Sequence, residues 1–72
     1  MITVYSKEAC SKCNQAKMLL SMKGVDFEVK MLGVDYDREY VVDLAPKQRE
    51  FPVITINGKL IGGLEDLKTY LK

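Results

Sequence analysis

Two cysteines, Cys10 and Cys13, are the only ones in the chain, and they bracket Ser11 and Lys12. A short β-rich apolar run, Ile2 to Tyr5, precedes them, and a helical pattern from about Cys10 to Lys23 follows. A Cys-x-x-Cys pair between a strand and a helix in a small βαβ unit points to a redox dithiol. Residues at i and i+3 share a face of the first helical turn. A sulfur at the helix start meets unpaired backbone N–H groups and about half a unit of positive charge. That setting lowers a thiol pKa and favours the thiolate, the form that attacks disulfides. Lys7 and Lys12 add positive charge nearby. Cys10 is therefore the expected attacking thiolate. Cys13, one turn further in and more enclosed, is the expected resolving thiol.

Composition narrows the alternatives. The chain contains no histidine, so Cys–His catalysis and histidine-ligated metal sites are excluded. A structural disulfide between Cys10 and Cys13 would close a very short loop, where the gain in chain entropy is least. Half of a zinc site, or a dimer-bridging iron–sulfur cluster, stays open as a metal- or cluster-binding dimer without redox turnover, because both centres want about four ligands. The net charge is +1 with acids and bases interspersed, which gives no electrostatic footprint for nucleic acid.

Seventy-two residues are expected to form one domain, 1–72, with a thin core. The apolar fraction, 47%, is ordinary for a globular domain. No apolar run approaches the roughly 20 residues that span a bilayer. The first residues show neither a charged lead-in nor a long apolar segment, so no secretory signal is expected. Two cysteines make no multi-bridge framework, and a cytoplasmic, reducing location is expected.

The elements that position the pair follow in order. Ile2 to Tyr5 reads as the first strand and Ala16, Leu19 and Leu20 as the buried side of the first helix. Gly24 suits the position just past that helix. Val25 to Lys30 alternates apolar and charged residues, as a half-buried strand does. A right-handed parallel βαβ unit results. Asp35 or Asp37 can cap a second helix that runs to about Leu44, with Tyr40, Val41 and Leu44 as its apolar side and Pro46 ending it. Lys47 to Phe51 reads as a polar loop. Val53–Ile56, Asn57-Gly58 and Lys59–Ile61 form a hairpin, since Asn-Gly is the preferred type I′ turn. Leu64 to Leu71 closes the chain as a helix. The order is βαβαββα.

With that order and the dithiol in place, the chain resembles the glutaredoxins, dithiol members of the thioredoxin-like superfamily. Val4 to Lys17 is similar to the family's first strand, its lysine three residues before the nucleophile, the dithiol and the Ala-Lys that follows. Arg49 to Val53 matches the family's Thr-Val-Pro segment, and Leu60 to Leu67 its Gly-Gly turn and acidic last helix. The resemblance implies an α/β fold with a four-stranded mixed sheet and three helices, and a cis Pro52 packed opposite Cys10. From composition alone a trans proline opening a strand would be preferred. It implies that Phe51 offers its backbone to an extended substrate, and that no cofactor is resident. Glutathione would be reductant and substrate: Lys7 and Arg49 for its glycine carboxylate, Gly63 and Leu64 backbone for its γ-glutamyl carboxylate, and Asp66 with Glu65 for its ammonium. Each has a plainer reading: solvated charges for Lys7 and Arg49, first-turn acids suiting the helix dipole for Glu65 and Asp66, and a strand terminator for Gly62-Gly63.

Three departures stand out. Ser11-Lys12 replaces the family's usual Pro-Tyr, Glu50 stands where threonine is common, and Phe51 is bulkier than the usual valine. The short length is nearer that of the small redoxins that take electrons from thioredoxin reductase and serve ribonucleotide reductase. The expected activity is thus glutathione-dependent reduction of protein disulfides and glutathione mixed disulfides by a monomer. The redoxin fed by thioredoxin reductase is the alternative, and neither reading calls for a membrane or nucleic acid.

Overall fold

A computed structural model describes all residues, Met1 to Lys72. Its elements are β1 (Ile2–Ser6), α1 (Ser11–Met22), β2 (Phe27–Met31), α2 (Arg38–Leu44), β3 (Val53–Ile56), β4 (Lys59–Gly62) and α3 (Leu64–Tyr70). They make one four-stranded mixed sheet in the order β2-β1-β3-β4. β1 pairs parallel with β2 and antiparallel with β3, and β3 pairs antiparallel with β4. The element order is the one read from the sequence, and the four-stranded mixed α/β sheet with three helices is the thioredoxin-like arrangement that the resemblance implies.

Side-chain alternation along the inner strands divides the core in two. Ile2, Val4 and Ile54 point to one face and pack with Ala16 and Leu20 of α1 and Leu64 and Leu67 of α3. Tyr5 and Val53 point to the other, against Val41 and Ala45 at α2. β1 and β3 are thereby apolar on both sides, as strands enclosed on both faces must be. The buried stripe of α1 is Cys13, Ala16 and Leu20. Cys13 is thus part of the same stripe that anchors the helix.

Element ends shift by a residue or two from the sequence expectation, and some of the differences bear on the site. Cys10 lies outside α1 as its N-cap, in extended backbone. Val25 precedes β2, which begins at Phe27; Val25 donates its N–H to Leu20 and completes the turn after α1 instead of joining the sheet. Tyr40 is half-exposed, so the apolar side of α2 rests mainly on Val41. Asp37, and not Asp35, caps α2 by accepting from the Tyr40 N–H at 3.0 Å. Asp35 instead accepts from the Met31 N–H at 2.8 Å. Asn57 and Gly58 both carry positive φ, as the type I′ turn requires.

On the α2 side, Tyr5, Tyr36 and Tyr40 form a trio, with the Tyr5 and Tyr36 rings edge to face at 5.2 Å. The Tyr36 hydroxyl donates to the Ser6 carbonyl at 2.6 Å, tying the loop before α2 to the end of β1. Burial pushes the Tyr5 and Tyr36 phenols up to about 12. Ionisation is therefore harder in the fold than in the unfolded chain, where it occurs near 10. This contribution is fully present below pH ~10 and is lost as pH rises from about 10 through 12. Alkaline unfolding should begin in that window, with tyrosinate absorbance rising together with loss of structure.

Leu20 is fully enclosed, and Leu20→Ala should cost about 2–5 kcal/mol in chemical denaturation. The buried Ser6 hydroxyl has no hydrogen-bond partner. Ser6→Ala removes an unpaired polar group, so the same measurement should show it neutral or stabilising in the disulfide form.

Candidate active site

The dithiol sits where β1 hands over to α1. Ala9 takes positive φ just before Cys10 and turns the chain into the helix. Cys10 then adopts the extended backbone of an N-cap residue, with φ −116° and ψ 104°. A serine or aspartate at such a position would use its side-chain oxygen to accept from an N–H of the first turn. Here the Cys10 Sγ accepts from the Cys13 N–H at 3.2 Å. The carbonyl of Cys10 accepts the helical bond from the Asn14 N–H. The sulfur thus occupies the point at which the open donors and the dipole of α1 converge.

Cys10 and Cys13 are joined as a disulfide, with their Cα atoms 5.3 Å apart. Cys13 is fully enclosed, whereas Cys10 is partly exposed. One sulfur is open to an incoming molecule and the other is reached only through it. No group of three or more Cys, Asp or Glu side chains is placed to hold a metal ion.

Opposite the dithiol turn, the loop from Lys47 to Pro52 leads into β3. The Phe51–Pro52 bond is cis, as the resemblance implied, and Pro52 is buried. Lys12, between the cysteines, places its Nζ 3.3 Å from Glu50 Oε2 and so links the dithiol turn to this loop. Both ends are well exposed, which holds such a pair to about 0.2–1 kcal/mol. The pairing alters the expectation for Lys12. Much of its charge faces a carboxylate, and the backbone of α1 is left as the main support for a Cys10 thiolate. The Lys7 ammonium lies 5.3 Å from the centre of the Phe51 ring, a cation–π contact.

A groove of about 860 Å³ runs from Lys12 along this loop to the start of α3. Of the residues that the resemblance sets around a substrate, Arg49, Phe51, Gly63, Leu64, Glu65 and Asp66 line it. Lys7 and Pro52 do not: Lys7 stands over Phe51, and Pro52 is enclosed behind the loop. The acids at α3 are engaged. Asp66 Oδ2 accepts from the Gly63 N–H at 3.2 Å, and Glu65 pairs with Lys68 at 3.3 Å. Arg49 and Lys47 have no acidic partner.

Gln48 has a role that Lys47 to Phe51, which reads as a polar loop in the sequence, does not signal. Its Nε2 donates to the Glu50 carbonyl at 2.9 Å and to the Pro52 carbonyl at 2.8 Å. Nothing local in the sequence announces this, because a glutamine in a polar loop is ordinarily solvated.

These features agree with the comparisons to known proteins. The family model described as Glutaredoxin matches residues 2–61. The chain is 39% identical over 67 residues to glutaredoxin 3 of Escherichia coli K12, covering 92% of this chain and 80% of the relative. It is 40% identical over 70 residues to hybrid peroxiredoxin hyPrx5 of Haemophilus influenzae, covering 96% of this chain but only 28% of that longer protein. Among solved structures, a buckwheat glutaredoxin–glutathione complex superposes with a TM-score of 0.78 at 26% identity, covering 94% of this chain and 64% of the other. A dithiol cradled at the start of α1, within this sheet order and beside this loop, carries the same conclusion as the sequence matches: the chain belongs to the glutaredoxin family of thiol–disulfide oxidoreductases.

Proposed function

We propose that Cys10 is the nucleophile and Cys13 the resolving thiol of a glutathione-dependent reductase of protein disulfides and glutathione mixed disulfides. The observation that carries the reading is the Cys13 N–H directed at the Cys10 Sγ, at the opening of α1. A hydrogen bond to a sulfur favours its charged form, and here the donor is covalently fixed one turn away. The exposed Cys10 thiolate attacks one sulfur of the substrate disulfide. A Cys10–substrate disulfide forms, and the first substrate thiolate leaves and takes up a proton. Cys13, losing its proton, attacks Cys10 and releases the second thiolate, which is protonated in turn. The substrate gains two electrons and two protons, and the Cys10–Cys13 disulfide results. Two glutathione thiols return it to the dithiol and leave as glutathione disulfide.

The groove supports glutathione as that reductant. Arg49, Phe51, Gly63, Leu64 and Asp66 all line it, together with Lys12 of the dithiol turn. Arg49 suits a carboxylate, and the free backbone groups of Phe51 suit the peptide portion. Lys7 would act from the rim. The buckwheat relative is solved with glutathione, which agrees. One observation favours a second reading, in which thioredoxin reductase supplies the electrons and ribonucleotide reductase receives them. The Lys12–Glu50 pair sets a carboxylate within the groove, on the path a glycine carboxylate would take.

Cys10→Ser should abolish all exchange, while Cys13→Ser should spare removal of glutathione from mixed disulfides and lose dithiol reduction of proteins. If the two variants behave alike in these assays, the assignment of roles fails. NADPH consumption should proceed with glutathione and glutathione reductase. Turnover with thioredoxin reductase alone would overturn the glutathione reading in favour of the second.

A further inference from the structure

Between the two carbonyls that Gln48 holds lies Phe51. Its own N–H and C=O make no hydrogen bond within the chain. In an irregular loop most backbone acceptors find a partner or face water. Here a single side-chain amide, on a partly enclosed residue, takes both of its hydrogens to the carbonyls on either side of one residue whose own N–H and C=O are unpaired. The hydrogen bond from the Gln48 backbone N–H to the carbonyl of Ala45, the C-cap of α2, at 3.1 Å, ties the Gln48 main chain to the end of that helix. Gly63 lies alongside, where a Cβ would come into ordinary contact with Gln48 Nε2 at 3.4 Å and the Pro52 carbonyl at 3.5 Å.

An extended substrate that adds to this loop looks for free donors and acceptors. With the Glu50 and Pro52 carbonyls each already accepting from Gln48, and proline lacking an N–H, Phe51 is the one residue of the three whose donor and acceptor are both free. We infer that Gln48 is a positioning residue that sets the register of a bound polypeptide, by masking the backbone acceptors on either side of Phe51. A slip of one residue reverses the face to which every side chain of an extended segment points. Register therefore decides which half-cystine of a polypeptide disulfide comes to the Cys10 sulfur. The inference rests on the exchange reaction proposed above and extends it to selection between the two sulfurs of one substrate.

The test uses Gln48→Glu, which keeps the shape but has no N–H to donate, and Gln48→Ala. Each is compared with the parent for turnover of an oxidised peptide of unequal flanks and of bis(2-hydroxyethyl) disulfide, which has no backbone to align. In a Cys13→Ser background the mixed disulfide is trapped, and mass spectrometry identifies the captured half-cystine. The parent should capture mainly one half-cystine, and both Gln48 variants should capture the two more evenly. The ratio of peptide to non-peptide kcat/KM should fall about tenfold through KM, as for loss of about 1.4 kcal/mol of binding. The alkylation rate of reduced Cys10 by iodoacetamide reports on the dithiol turn itself. Unchanged sulfur selection, or an equal fall for peptide, non-peptide and alkylation, would overturn the inference. Failure of the parent to exchange with either disulfide would instead overturn the reading on which it rests.

Discussion

A sulfur stands where a helix-capping oxygen ordinarily would. The first turn of any α-helix leaves N–H groups without intrahelical partners. In this chain one of them, on Cys13, is turned toward the Cys10 Sγ. Cys13 serves two ends at once. Its backbone supplies the donor, and its side chain, enclosed on the core stripe with Ala16 and Leu20, supplies the second sulfur. The disulfide spacing and the cap spacing are both three residues, so one piece of geometry brings the sulfurs together and gives the outer one its polar partner.

That geometry holds only if the start of α1 is fixed, and the fixing is remote. β1 is packed on both faces, against α1 and α3 on one side and α2 on the other. Its C-terminal end is held further by the Ser6 carbonyl, which accepts from both the Tyr36 hydroxyl and the Leu32 N–H. The left-handed residue Ala9 then delivers the chain to the N-cap. The loop across the groove has its own support: Gln48 braces it from within, and the Lys12–Glu50 pair ties it to the dithiol turn. The two walls of the site are irregular backbone, but each is anchored to a regular element.

Charge in the site is redistributed by folding. Lys12, Glu50, Glu65 and Asp66 are all ionisable groups that could act on a ligand. In the folded chain Lys12 faces Glu50, Glu65 faces Lys68, and Asp66 caps the start of α3. Arg49 and Lys47, without acidic partners, are left as the open charges along the groove. Charged residues near a dithiol in sequence are therefore poor guides to the field that a substrate meets. What matters is which of them have already found a partner.

The sequence by itself determined the element order, the hairpin at Asn57-Gly58, and the dithiol between strand and helix. These depend on local signals: alternation, helical spacing, a preferred turn dipeptide and a cysteine interval. The family resemblance added the cis Phe51–Pro52 bond, which local preference alone would have made trans. Tertiary structure alone decided the rest. That Cys10 caps α1 and does not belong to it depends on the Ala9 turn. That Lys12 meets Glu50, 38 residues away, depends on α1 and the loop before β3 being brought to one side of the sheet. That Gln48 braces the loop depends on the chain folding back on itself between Ala45 and Pro52. Each joins groups whose proximity exists only after the sheet has closed, and no periodicity along the chain encodes it.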